Sequence, residues 1–390
     1  MYLTREQERL LRGDYGWAIA KAMELLVRVG DAVGAGELVE VKHAHVSGVS
    51  YSNIGKYGLD LITDFYRGGG RARVYTTINP GCIDYSGFSR IIDNRYYMEQ
   101  RAIDNALVNM GFKPVFTCIP YYYRPPLPGE HLAWGESSAV IYANSIHGAY
   151  TNREGGPIAL ASSITGYTYK AGLHILDNRV GRIRVRLDPM VEKYPVGAIG
   201  LWIGENIREI PVLSGFKNMG FGDLKVLLAS MAASGSHAIA IIEGVTPRKT
   251  FSLEIRDEVF IERGDLEDYI GPDVSSRDSV LGYIGCPHLH PFELLRVKNL
   301  VGKYGGVKRG GLLITIPPEY LTKFHDIVFY LKSRGVDIAT GTCPVVSVFK
   351  QRYDVVLTNS GKAAFYLRRI HGLKTRISPL EEVVKYVCGH

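Results

Sequence analysis

Short apolar runs alternate with amphipathic stretches along most of this chain. The runs VGAIGLWIG (196–204), HAIAIIEGVTP (237–247), SVLGYIGCP (279–287), GLLITIPPEY (311–320), VDIATGTCPVV (336–346) and YDVVLTNSG (353–361) each close on Gly, Pro or a small polar residue. Helical spacing separates them in FGDLKVLLASMAASG (221–235), PFELLRVKNLVGKYG (291–305) and PEYLTKFHDIVFYLKSRG (318–335). The first third has the same grammar. A mainly helical opening, WAIAKAMELLVRVGDAVG (17–34), leads to a strand ELVEVKHAHVSG (37–48) and a Gly/Ser loop SGVSYSNIGKYG (47–58). A second strand RARVYTTINPG (71–81), a helix MEQRAIDNALVNMGF (98–112) and a third strand KPVFTCIP (113–120) follow. Strand, polar loop, helix, strand predicts an α/β fold with mostly parallel sheets and ligand sites at the strand carboxyl ends. No repeat or low-complexity linker divides the chain. Lobe boundaries are expected near 125 and 265.

One stretch breaks the pattern. Residues 134–157, WGESSAVIYANSIHGAYTNREGGP, crowd Glu136, Ser137, Ser138, Asn144, Ser145, Asn152, Arg153 and Glu154 around an apolar Ala139–Ile141 run. A buried frame carrying that many polar groups needs partners for them. Two readings are open: the groups line a wet site for an anion, or they form a hydrogen-bond network between lobes.

The composition, 46% hydrophobic and 22% charged, is that of a soluble globular protein of two or three domains. The net charge of +7 is spread along the chain without a block of like charges, so a nucleic-acid tail is not indicated. The N-terminus, with Thr4 as a helix N-cap, has no apolar signal-peptide core, and no apolar run reaches about 18 residues. A cytoplasmic protein is expected, with no membrane contact.

The five cysteines are odd in number, widely spaced and without a Cys-x-x-Cys pair. Cys118, Cys286 and Cys343 each end an apolar run with proline one or two residues on. Three thiolates so placed could hold an iron–sulfur cluster, leaving one iron open as a Lewis acid. The other reading makes all five small buried hydrophobes. Cys388 is expected to be mobile, and Cys82, in a polar loop, is the rival functional thiol. Among His43, His45, His288 and His290, which sit near the candidate loops, His288 is the candidate support for a metal ligand.

GESSAVIYANSIHGAYTNREGGP (135–157), SGVSYSNIGKYG (47–58), INPGCID (78–84), EGVTP (243–247), GCPH (285–288) and NSGKAAFY (359–366) resemble, in order and over nearly the whole chain, the segments of the aconitase X family. The match is best to its archaeal large subunits. The resemblance implies an aconitase-like multi-lobed core and a hydro-lyase. The implied reaction is dehydration of (R)-5-phosphomevalonate to trans-anhydromevalonate 5-phosphate in an archaeal-type mevalonate pathway. It implies a [4Fe–4S] cluster on Cys118, Cys286 and Cys343, and substrate contacts at Gly48, Val49, Ser50, Asn79, Pro80, Glu136, Ser137 and Lys362. Of these, Lys362 and Glu136 carry the catalytic expectation. A small subunit bearing the family's swivelling domain, and with it the serine base, is the expected partner. Bacterial relatives make cis-3-hydroxy-L-proline the alternative substrate. A non-catalytic basic aconitase-like protein binding RNA is the alternative of another class, although no basic stretch with interleaved aromatics favours it.

Overall fold

The computed structural model describes residues 1–188, 194–350 and 352–389. Among these, three parallel sheets carry the architecture. Tyr75–Ile78, His43–Val46 and Leu132–Trp134 form the first, in that spatial order. Ser252–Ile261, Val180–Leu187, Pro211–Leu213 and Ile241–Ile242 form the second. Val336–Thr340, Gly311–Ile316, Val280–Ile284, Val355–Thr358 and Lys374–Ile377 form the third. Helices cover the first and third sheets, as parallel strands buried on both faces require, whereas the edge strand Ser252–Ile261 of the second is largely exposed. The five-stranded sheet is the clearest case, with 280–284 and 336–340 buried at every position. Two small antiparallel pairs, Leu38–Glu40 with Tyr167–Tyr169 and Val348–Phe349 with Ile92–Asp93, complete the described strands. The expected α/β fold with mostly parallel sheets is what forms.

Several elements differ from the pattern reading, each for a physical reason. The run 196–204 is a helix, Val196–Asn206, rather than a strand. Its Gly197, Gly200 and Gly204 recur at helical spacing and allow backbone-close packing. A Cβ would lie 2.5 Å from Gly361 N, 2.4 Å from Leu227 O and 2.0 Å from Ser234 Oγ, respectively. Glycine there serves close approach, and its apolar neighbours read as a strand only because both helix faces are buried. Residues 51–58 are not loop but the start of the helix Tyr51–Arg67, kinked at Gly55 (φ 56°). The segment 113–120 makes only one bridge, Lys113 to Thr77, before two prolines and Phe116 at φ 39° take it out of any sheet. The stretch 37–48 divides into two strands that serve different sheets. Cys388 is fully buried beside Val383, Val384 and Val387 in the core of the third sheet, so it is a packed residue and not a mobile end.

Candidate active site

Loops leaving the carboxyl ends of the first and third sheets carry nearly all the candidate residues. Strand 43–46 delivers Gly48–Ser50, strand 75–78 delivers Asn79–Cys82, and strand 132–134 delivers Glu136–Ser137. From the third sheet, strands 280–284, 336–340 and 355–358 deliver Cys286, Cys343 and Lys362. Cys118 is the exception. It comes from the irregular segment before the short 3₁₀ turn Pro120–Tyr122. Glycines let the loops close. Gly48 adopts φ 65°, and a Cβ on Gly135 or Gly156 would fall 2.2 Å from Ser47 Oγ or 2.6 Å from Ser47 O.

Lys362 and Glu136 meet in a buried ion pair, though 226 residues apart. Lys362 Nζ also donates to Ser137 Oγ at 3.1 Å. Glu136 caps the helix Ser137–Tyr142, with Oε2 accepting from Ala139 N–H (2.8 Å) and Ser138 Oγ (2.6 Å). Burial pushes the Glu136 carboxyl up, but the Lys362 charge and these donors outweigh it and hold it at about 2. Burial likewise pulls Lys362 down, and Glu136 outweighs it, so the ammonium is held above its usual range. Both side chains are therefore charged, the arrangement a buried pair needs.

A relay of hydrogen bonds fixes Asn79. His43 Nε2–H donates to Thr77 Oγ1 (2.9 Å), Thr77 donates to His45 Nδ1 (2.8 Å), and His45 Nε2–H donates to Asn79 Oδ1 (3.1 Å). The reverse direction would bury an unpartnered N–H at His43 Nδ1, a costlier orphan than a lone pair. Burial drives His43 well below its usual value and His45 to about 4, so both rings are neutral. Ser50 is equally constrained: its hydroxyl donates to Val346 O at 2.6 Å, tying the first loop to the Cys343 loop.

His288 joins the three cysteine segments. Its Nε2–H donates to Thr342 O (2.9 Å), its Nδ1 accepts from Thr117 Oγ1 (3.1 Å), and its backbone N–H donates to Cys118 Sγ (3.2 Å). Thr117 and Thr342 adjoin Cys118 and Cys343, and Cys286 lies two residues before His288. Lys225 holds the same turn from beneath, donating to His288 O (2.8 Å) and pairing with Glu293. All three thiols are buried. Burial raises Cys118 well above the usual range, with the Glu136 and Cys343 charges adding to it. Burial and the Cys286 charge take Cys343 to about 12, and burial raises Cys286 against the pull of Lys362. Three soft ligands that feel one another's charge, beside a fixed cation, suit a cofactor that takes thiolates and supplies the compensating positive charge. No three His, Cys, Asp or Glu side chains among the described residues close on a single metal ion.

Within the crowded stretch 134–157 the polar groups find separate partners. Glu136 and Ser137 face Lys362. Asn144 instead ties Thr151, Ala238 and the buried Arg179 together, and Asn152 bonds Ala171 O and Leu173 N. Glu154 accepts from Tyr169 Oη, and Arg153 is exposed. The His43–Thr77–His45 relay and Lys225 escaped the sequence reading. A histidine at alternate positions of one strand was the available signal for the relay.

Three models of successive aconitase X domains match the chain: the first over residues 1–177, the second over 181–271 and the third over 279–389. The chain belongs to the aconitase X family. It is 37% identical to the phosphomevalonate dehydratase large subunit of Thermococcus kodakarensis over 99% of both chains. To the Aeropyrum pernix large subunit of the same name it is 38% identical, over 99% of this chain and 100% of the relative. A cis-3-hydroxy-L-proline dehydratase of Hypocrea jecorina is more distant, 26% identical over 99% of this chain and 68% of the relative. The crystal structure of Thermococcus kodakaraensis aconitase X in its holo-form superposes with a TM-score of 0.90 at 36% identity, covering 99% of this chain and 100% of that one.

Proposed function

We propose that this chain is the large subunit of a phosphomevalonate dehydratase, a hydro-lyase that removes water from (R)-5-phosphomevalonate to give trans-anhydromevalonate 5-phosphate. The end-to-end similarity to archaeal large subunits carries this reading, against a hydroxyproline dehydratase that is more distant and extends beyond the matched region. In this reading Cys118, Cys286 and Cys343 hold a [4Fe–4S] cluster, which when bound supplies Lewis acidity toward the departing hydroxyl.

The chain's own residues do the rest. The Lys362 ammonium has three N–H groups, and Glu136 and Ser137 take two. We assign the third to the substrate carboxylate, where charge builds as the proton beside it leaves. Glu136 keeps Lys362 charged and aimed, and at a pKa of about 2 it is too weak a base to take that proton itself. Asn79, its oxygen occupied by His45, presents its amide nitrogen as a donor to an anion. The loops at Gly48–Ser50 and Asn79–Pro80 hold the substrate. A small subunit with the swivelling domain brings the base, and the complex works in the cytoplasm. Among the described residues no helix is long and apolar enough to cross a membrane.

The test is an anaerobic assay of the chain with its small subunit on both substrates. Water elimination from 5-phosphomevalonate without turnover of cis-3-hydroxy-L-proline supports the reading. The opposite preference overturns it.

A further inference from the structure

We propose that Gln100 is a positioning residue that sets the spacing between the two substrate loops, 48–52 and 79–82. This rests on the reading of those loops as substrate-binding. Gln100 lies on the helix Tyr97–Asn109, outside every strand-end loop, and is fully buried.

Its amide is used at both ends. Oε1 accepts from the backbone N–H of Tyr51 (2.9 Å) and of Cys82 (3.2 Å), one from each loop. Cys82 Sγ reaches the same oxygen at 3.2 Å. Nε2 donates to Val49 O (2.9 Å) and to Asp104 Oδ1 (2.9 Å). Two N–H groups converge on one end and two oxygens on the other, so the orientation of the amide is forced. Asp104 sits one helical turn on and is itself held by Tyr85 Oη at 3.1 Å.

Gln100 also replaces a missing cap. The helix Tyr51–Arg67 has Ser50 at its N-cap position, but that side chain makes no capping bond and donates instead to Val346 O. The Tyr51 N–H is satisfied by Gln100 from another element. Gly81 is fitted to the same amide: a Cβ there would lie 2.8 Å from Gln100 Cδ and Nε2 and 2.6 Å from Tyr85 Oη. A side chain that bridges two loops through their backbones controls their separation, and a ligand clasped by both reads that separation as binding.

The experiment compares wild type with Gln100→Met in the complex with the small subunit. Methionine keeps length and volume and removes every hydrogen bond of the amide. KM for 5-phosphomevalonate should rise about tenfold or more while kcat falls about threefold or less. Iron per chain should be unchanged, since a merely loosened fold would lower it. Wild-type KM overturns the inference. Asn79→Ala then separates the causes. If it raises KM, only the role of Gln100 fails; if it does not, the substrate-loop reading falls too. Should Gln100→Met not fold, Gly81→Ala displaces the amide without removing its hydrogen-bonding groups, and a wild-type KM in that variant overturns the inference equally.

Discussion

The backbone N–H of His288 donates to Cys118 Sγ at 3.2 Å. The His288 ring meanwhile bonds Thr117 and Thr342, so one residue fixes all three cysteine segments. Losing such support around metal ligands typically costs about 10–100-fold in metal affinity. His288→Leu should therefore lose iron and sulfide on desalting while keeping its helix content by circular dichroism. Full iron retention in this variant would show that the cysteine loops hold themselves.

The proposed cluster ligands and the core cysteine Cys388 are told apart by serine substitution. Cys118→Ser, Cys286→Ser and Cys343→Ser should each abolish visible iron–sulfur absorption and activity. Cys388→Ser should keep the iron but lose stability, by about 1–3 kcal/mol, because its hydroxyl enters an apolar core without a partner. Iron analysis beside thermal denaturation reads both. Stoichiometric iron in the triple serine variant refutes the assignment.

The Lys362–Glu136 pair separates stability from chemistry. Lys362→Met leaves a buried carboxylate unpaired, which costs about 3–5 kcal/mol. The double variant Lys362→Met/Glu136→Gln should recover most of that stability but not the activity. In kcat/KM, loss of the charge contact to substrate alone is worth about ten- to a hundredfold. Activity returning with stability would make the pair purely structural.

The same pair predicts a pH dependence. Glu136 is held at about 2 in the fold, below its unfolded value near 4.5. Its stabilisation is fully present above about pH 4.5 and is lost as pH falls toward about 2. The stability gap between wild type and Glu136→Gln should close across that window in denaturant titrations. A gap constant from pH 6 to 2 would mean the carboxylate gains nothing from Lys362.

What the sequence could show followed from locality. Cys286 and Cys343 stood out because each closes an apolar run before a proline, and each does follow a parallel strand; Lys362 entered only through the family resemblance. Cys118 shares their apolar-run-and-proline context but lies in an irregular segment, so the strand expected to end there does not form. Ser50 bonds Val346, 296 residues away, and Gln100 bridges two loops from a helix that reads as merely amphipathic. No window on the chain contains such pairs. The helix 196–206 misled for a related reason: its glycines answer to a neighbouring backbone that only the folded chain supplies.

In the proposed reaction a base must take the proton beside the substrate carboxylate. Every titratable group identified in the site is already committed. Glu136 is held near 2 and Lys362 is held protonated. Both ring nitrogens of His45 are bonded, to Thr77 and Asn79, and both of His288, to Thr117 and Thr342. Burial takes each of these rings to about 4, so neither accepts a proton readily at neutral pH. Cys118, Cys286 and Cys343 are assigned to the cluster, and the Cys82 thiol, raised by burial, donates to Gln100 Oε1. A positioned base contributes about 10²–10⁴ to such a proton transfer. The purified chain should therefore bind iron and sulfide yet turn over 5-phosphomevalonate only at a trace rate. Adding the small subunit should restore full activity. Replacing the serine base expected on that subunit should leave the complex assembled on gel filtration and inactive. Full turnover by the chain alone, with no second protein on a gel, would place the base within these 390 residues and require one of the groups above to be released from its present partner.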